Sequence, residues 1–157
     1  MSMLMREPLC EFTVTGRASF SPGDVVGFAR EHFGLEGVLK PLPAYWDQNF
    51  HLVAADETNY VIKIANSGAS AEVLDLQNQA MQRLNEGWRS WASPVVVPSR
   101  AGEAIVTVAS PDGVSHQMRV LTWIEGRPLS GVESRDDGLL ENLGRGLGEL
   151  DACLATF

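Results

Sequence analysis

Lys63 sits in the middle of an apolar run: in NYVIKIANSGASAEVLDLQNQAMQRL, from Asn59 to Leu84, it is flanked by Val61, Ile62, Ile64 and Ala65. Read as a strand, Tyr60, Ile62 and Ile64 share one face and Val61, Lys63 and Ala65 the other, which places an ammonium on an inner or half-inner surface. Taken alone, such a lysine is explained by snorkelling, with its stem buried and its head in water. The helix that follows changes the reading. Its apolar stripe of Val73, Leu76, Ala80, Met81 and Leu84 at helical spacing contains Gln77. A strand lysine and a helix amide facing one buried gap form a site for phosphate oxygens, since a desolvated ammonium needs partners and a triphosphate is a strong one. The alternative for Gln77 is a cap on a local backbone group.

Cap and turn residues mark the elements that must carry these two groups. SPGDVVGFAREHFGL opens with Ser21 as N-cap and Pro22 at the first helical position, sets Val25, Val26, Phe28, Ala29 and Phe33 on an apolar face, and ends at Gly34. GVLKPLP reads as a short strand stopped by prolines, and NFHLVAA alternates after the polar knot YWDQ, where Asp47 and Gln48 read as turn residues. DETN is a turn into YVIKIAN, giving an antiparallel hairpin. SGAS supplies a loop and cap before a helix from about Ala71 to Asn85. SPVVVPS, EAIVTVA and HQMRVLTWIEG read as further strands separated by RAG and SPDG. After the irregular GRPLSGVESRDDG, a last helix is expected from about Leu139 to Phe157. Gly144, Gly146 and Gly148 follow no strand and lie within its apolar pattern, so they read as close helix packing rather than a phosphate loop. The expected class is α+β: an antiparallel sheet of about five strands with the Ala71–Asn85 helix against one face, plus an N-terminal helix.

Composition bounds the function. The 157 residues, 45% hydrophobic, suffice for one domain with a sizeable core, or for one domain and part of a second. A formal net charge of -8 argues against nucleic acid and anionic membranes as partners. There is no leader pattern near the start, and no apolar run reaches about 18 residues, so a cytoplasmic location is expected. Cys10 and Cys153 lie far apart without Cys or His at ligand spacing, and His32, His51 and His116 are scattered; reduced packing thiols and no metal cage are expected. No Gly-x-Ser-x-Gly elbow or paired carboxylates mark a hydrolase.

The order strand, polar turn, strand, turn, lysine strand, helix, then strands ending in TWIEGRPL is that of a kinase small lobe. Here the chain resembles the aminoglycoside phosphotransferase and choline kinase group of small-molecule kinases. YVIKIAN looks like that family's lysine strand, LQNQAMQRL its following helix, RVLTWIEGRPL its hinge, and LGRGLGELDACL the first helix of its large lobe. PAYWDQNFHLVA is similar to the branch that includes hydroxylysine kinase and homoserine-kinase-like proteins. The resemblance runs from about Ser21 to Phe157. It implies a protein-kinase-like N-terminal lobe over 21–126, an N-terminal extension over 1–20, a hinge and linker over 127–138, and the first helix of a C-terminal lobe over 139–157.

Carried over by position, the resemblance implies that Lys63 binds the α- and β-phosphates of ATP and that Val61 lies against the adenine. The turn Trp46 to Phe50 would cover the phosphates with backbone N–H groups, with Asn49 as the side-chain candidate. The carbonyl of Thr122 and the N–H of Ile124 would hold the adenine edge. Most of the family has glutamate where Gln77 stands, ion-paired to the lysine; glutamine offers a neutral hydrogen bond and leaves Lys63 with its full charge. Phosphoryl transfer also needs a carboxylate for the acceptor hydroxyl and ligands for Mg2+. In the family these lie in the large lobe, and neither a His-x-Asp loop followed by Asn nor a later magnesium-binding Asp motif occurs before Phe157. No catalytic residue or metal ligand is therefore assigned here, Asp151 included. The expectation is the nucleotide lobe of a larger kinase that phosphorylates a hydroxyl of a small amine or amino acid with ATP and Mg2+. Two other readings stand beside it. The lobe could precede a class III aminotransferase in a multidomain fusion, with pyridoxal phosphate (PLP) as that protein's cofactor. It could also be a non-catalytic interaction module, a homodimer formed through the apolar surface that would otherwise face the large lobe.

Overall fold

Ser21 and Asp24 close the expected capping box: the Asp24 N–H donates to Ser21 Oγ at 3.2 Å, and the Ser21 N–H donates to Asp24 Oδ2 at 3.0 Å. They start α1 (Pro22–Phe28), which widens into a π-helical turn over Ala29–Phe33 and stops at Gly34, as the sequence predicts. Gly34 has φ +72°, a left-handed C-cap in which a β-carbon is strained. The computed structural model describes residues 16–88, 90–133, 136–155 and 157. Cys10 lies outside them; Cys153 is a free thiol.

Six strands, where about five were expected, form one antiparallel sheet: β1 (Gly37–Leu42), β2 (Gln48–Ala54), β3 (Asn59–Ile64), β4 (Val96–Val97), β5 (Val106–Ala109) and β6 (Ser115–Thr122). Their order is β1-β2-β3-β6-β4, with β5 also paired to β6. Val97 and Val106 pair with Val120 and Met118, so β4 and β5 share the side of β6 away from β3. β1 ends at Leu42, directly before Pro43, but runs through Pro41. Among the described residues β1 pairs only with β2, and an edge strand tolerates a residue that cannot donate. The β2–β3 turn places Glu57 at φ 66°.

Alternation divides the sheet into two surfaces. Phe50, Leu52, Ile62, Ile64, Met118 and Val120 face the core with Val106 and Val108, against Phe20, Val25, Ala29 and Phe33. Burial of this apolar surface is the main stabilising term. Gln48, read from sequence as a turn residue, ties the N-terminal segment down: its Nε2 donates to the Phe20 carbonyl and its Oε1 accepts from the Phe20 N–H, both at 2.9 Å. His116 is a packing histidine, buried with Nδ1 2.9 Å from the Ala65 carbonyl oxygen.

The other surface carries α2 (Ala71–Gly87), capped by Ser70, whose Oγ accepts from the Val73 N–H at 3.2 Å. The helix buries only part of the stripe read from sequence, Leu84 fully and Ala80 and Met81 by half. Leu74, Asn78 and Leu84 are buried, whereas Val73 and Leu76 are 52% and 55% exposed and Gln77 is exposed too. The reason lies in the sheet beneath, where Arg119 requires oxygens from the helix; Leu74 and Asn78, one turn apart, face it.

The last helix, α3 (Asp137–Leu154), starts two residues before the expected Leu139 and is capped by Asp136, whose Oδ1 accepts from the Leu139 N–H at 2.8 Å. It packs on α2, where Arg83 Nε donates to the Cys153 carbonyl at 3.3 Å, and on Trp91 through Gly146. A β-carbon there would lie 2.6 Å from the Trp91 indole, which is parallel to Trp88 at 5.8 Å. Gly144 and Gly148 have nothing within 4 Å, so of the three glycines only Gly146 is required by close packing. Opposite signs are therefore expected for two substitutions. Gly144→Ala should stabilise by about 0.5–1 kcal/mol through helix propensity. Gly146→Ala should cost about 1–3 kcal/mol by overpacking, and a shift in tryptophan emission should accompany the loss in a denaturation series.

Candidate functional site

Asn49 on β2, Lys63 on β3 and Arg119 on β6 stand directly opposite one another in register, forming a polar row across three strands. Like charges placed opposite each other on neighbouring strands repel unless other groups hold them apart. Here the two cations turn to different partners. Lys63 Nζ donates to Asn49 Oδ1 at 3.3 Å and lies 3.7 Å from Asp47 Oδ2; both side chains of that ion pair are about a quarter exposed, at 26% and 25%. Arg119, only 3% exposed, turns to the helix. Its Nη1 donates to the Leu74 carbonyl at 3.0 Å and to Asn78 Oδ1 at 2.7 Å, and its Nη2 to Gln77 Oε1 at 2.7 Å. Burial pushes the Arg119 guanidinium below its ordinary pKa, and the nearby Asp47 carboxylate opposes that shift.

Above the row lies a cavity of about 570 Å³, walled by the turn from Ala44 to Asp47, the loop before Ser70, and Leu74 and Gln77 of α2. Three of the six residues singled out from sequence, Lys63, Asn49 and Gln77, line this one space. Gln77 reaches it already engaged by Arg119, so the two groups read as facing one gap share a cavity but have separate partners. The covering turn is shorter than expected: the bend spans Tyr45–Asp47, and Gln48 to Phe50 are already strand, with Phe50 buried on the core side. A bend of that length brings Asp47 to the lysine.

Val61 and Thr122 lie outside the cavity, further along the same strands, and Ile124 lies just past the end of β6. The next row is His51, Val61 and Leu121. The His51 ring stacks on Trp123 at 4.0 Å with 20° between planes, and its Nε2 is 2.7 Å from Asn59 Oδ1. Asn59 Nδ2 in turn donates to the Glu57 carbonyl at 3.0 Å, which fixes the amide so that His51 Nε2 is the donor. At the end of β6, the Thr122 N–H donates to the Val95 carbonyl at 2.9 Å, while the Val95 N–H donates to Thr122 Oγ1, also at 2.9 Å. The threonine hydroxyl thus takes a ladder bond that a carbonyl would otherwise accept. Ile124 is exposed.

Sequence reasoning passed over Asp47, Arg119 and the His51–Trp123 pair. Arg119 could have been found by the criterion that singled out Lys63, since it too interrupts an apolar strand, MRVL. Among the described residues, no group of three His, Cys, Asp or Glu side chains converges to hold a metal, and no helix is long and apolar enough to cross a membrane.

This α+β lobe, with an antiparallel sheet and a helix laid over its polar face, is kinase-like. A solved microcompartment-associated aminopropanol kinase shares the fold with a TM-score of 0.66 and 18% identity, over 83% of this chain and 40% of its own. An amicoumacin kinase in complex with AMP-PNP, Ca2+ and Ami shares it with a TM-score of 0.57 and 17% identity, over 69% of this chain and 32% of its own. The chain belongs to the phosphotransferase enzyme family, whose model matches residues 38–157. Among curated relatives, the hydroxylysine kinase of Mus musculus is 33% identical over 129 residues, covering 76% of this chain and 34% of its own length. That of Bos taurus is 30% identical over 152 residues, covering 90% and 40%. That of Danio rerio is 26% identical over 148 residues, covering 90% and 41%. The chain therefore spans 34–41% of the length of these relatives.

Proposed function

We propose that this chain is the nucleotide-binding lobe of an ATP-dependent phosphotransferase acting on a hydroxyl of a small amine or amino acid. The observation that carries the reading is Lys63, a partly exposed ammonium held by long contacts in a cavity beneath a short turn. The relatives at up to 33% identity point to hydroxylysine-like acceptors. The cavity of about 570 Å³ with an ammonium in its lining supports a triphosphate as its occupant. The Lys63 head can leave Asn49 and Asp47 for phosphate oxygens without breaking a close pair, and Asn49 then offers its amide to the same group. Val61 would support the adenine one row along the sheet, with the Thr122 carbonyl and the Ile124 N–H at its edge. Gln77 acts as a wall of the phosphate space. Bound nucleotide would supply the transferable phosphoryl group, and Mg2+ would neutralise its oxygens. The cavity offers Asp47 as a carboxylate near that position, and further metal ligands and the acceptor's base would come from outside these residues.

The test is ADP release by the polypeptide as its source makes it, with Mg-ATP and a panel of 5-hydroxylysine, homoserine and short amino alcohols. Turnover that depends on one of these acceptors is expected; none across the panel sinks the reading. Exposed Tyr45 and Val73 at the cavity mouth, with Leu76 beside them, favour a second reading, an interaction module that dimerises on this surface. A dimer that persists unchanged in saturating ATP and survives Lys63→Ala would support it.

A further inference from the structure

We infer that Arg119 is the positioning residue that fastens α2 over the phosphate cavity, which leaves Lys63 free of that task. The inference deepens the nucleotide-binding reading and rests on it for its link to phosphate.

The three acceptors of Arg119 are the Leu74 carbonyl, Gln77 Oε1 and Asn78 Oδ1, which lie within a single turn of α2 and face the sheet together. The planar fork of arginine can hold such a set at once, which a lysine's single ammonium nitrogen cannot do in the same geometry. At 3% exposure, the guanidinium is closed off from any ligand in the cavity. It therefore acts through the helix. Two of its acceptor residues, Leu74 and Gln77, are themselves cavity walls, so the same bonds that satisfy the buried cation fix the shape of the phosphate space. Asn78 points the same way. Its Nδ2 is buried with no partner while its Oδ1 meets Arg119 at 2.7 Å, an orientation that the arginine dictates.

Lys63, the cross-strand neighbour of Arg119, takes both its contacts from β2 and the turn before it. The helix and the covering turn are thus held by separate cations. This also accounts for glutamine at position 77. With the helix fastened to Arg119, no carboxylate is needed there to reach the lysine, and a neutral amide leaves Lys63 its whole charge for phosphate.

The experiment combines hydrogen exchange over residues 71–87 with titrations of ATP and of adenosine, on the polypeptide as its source makes it and three variants. Arg119→Met is expected to speed exchange across α2 and to weaken ATP binding about tenfold, the order expected for lost charge-assisted contacts, while adenosine binding is unchanged. Gln77→Leu, at an exposed position that tolerates substitution, should do the same to a lesser degree and serves if Arg119→Met does not fold. Lys63→Met should weaken ATP binding and leave α2 exchange as it was. The inference is overturned if Lys63→Met loosens α2 as much as Arg119→Met does, if Gln77→Leu leaves exchange untouched, or if ATP and adenosine lose affinity equally in Arg119→Met. A wild-type polypeptide, as its source makes it, that binds neither ligand refutes the nucleotide reading instead, and the exchange data still decide which cation holds the helix.

Discussion

Lys63→Ala is expected to weaken ATP binding on the order of a hundredfold while leaving folding stability almost unchanged. The two halves have different physical origins. In the bound state the ammonium would make charge-assisted hydrogen bonds to phosphate oxygens, which are roughly twice as strong as neutral ones and are lost outright with the side chain. In the free state Lys63 gives up only a 3.3 Å hydrogen bond and a 3.7 Å ion pair, both partly open to solvent. Exposed pairs of that kind contribute about 0–1 kcal/mol. The affinity loss should shrink as salt rises, because screening weakens the wild-type contact. Lys63→Arg should restore only part of it, since the guanidinium is longer and planar and its row already contains Arg119. Calorimetric titration beside a urea denaturation series checks both halves. Unchanged ATP affinity in Lys63→Ala would remove the main support for a nucleotide site.

The opposite pattern is expected one residue earlier. Ile62 is completely buried and stands in register between Phe50 on β2 and Val120 on β6. Ile62→Ala removes its buried branched side chain and leaves a cavity that a three-strand block cannot close, at a cost of about 2–5 kcal/mol. That is a large share of a stability of roughly 5–15 kcal/mol. Ile62→Val should cost about 0.5–1.5 kcal/mol. A lower denaturation midpoint with an unchanged denaturant slope is the signature of lost packing rather than altered compactness. If Ile62→Ala proved nearly neutral, the division of β3 into a core face and a cavity face would be wrong.

Much of this architecture is legible in the sequence where the signals are local. Ser21, Pro22 and Gly34 bracket the first helix by cap chemistry, and the two faces of β3 follow from alternation alone. Lys63, Asn49 and Gln77, which the sequence marks as site candidates, line one cavity. What could not be read depends on contacts between distant parts of the chain. The buried face of α2 is set by Arg119, 41 residues from Asn78, so helical spacing favoured Val73 and Leu76 when the helix turns a polar residue inward. Which proline of GVLKPLP ends the strand is not local either: Pro41 is tolerated because β1 lies at the edge of the sheet, and Pro43 follows its end. Asp47 looked like a turn residue because nothing in YWDQ shows how short the bend is.

The alternation of β3 also bears on how such chains tolerate change over evolutionary time. Ile62 and Lys63 are neighbours in the chain but serve opposite surfaces, and both flanks of the strand are locked in register, to β2 and to β6. A substitution at either position is a local event. Deleting Ile62 would instead exchange the two surfaces for the rest of the strand, turning the Lys63 ammonium into the core and Ile64 toward the cavity. Differences in length among related chains should therefore collect in connections such as 110–114 and the stretch after Gly126, with the frame of β2, β3 and β6 kept to the residue.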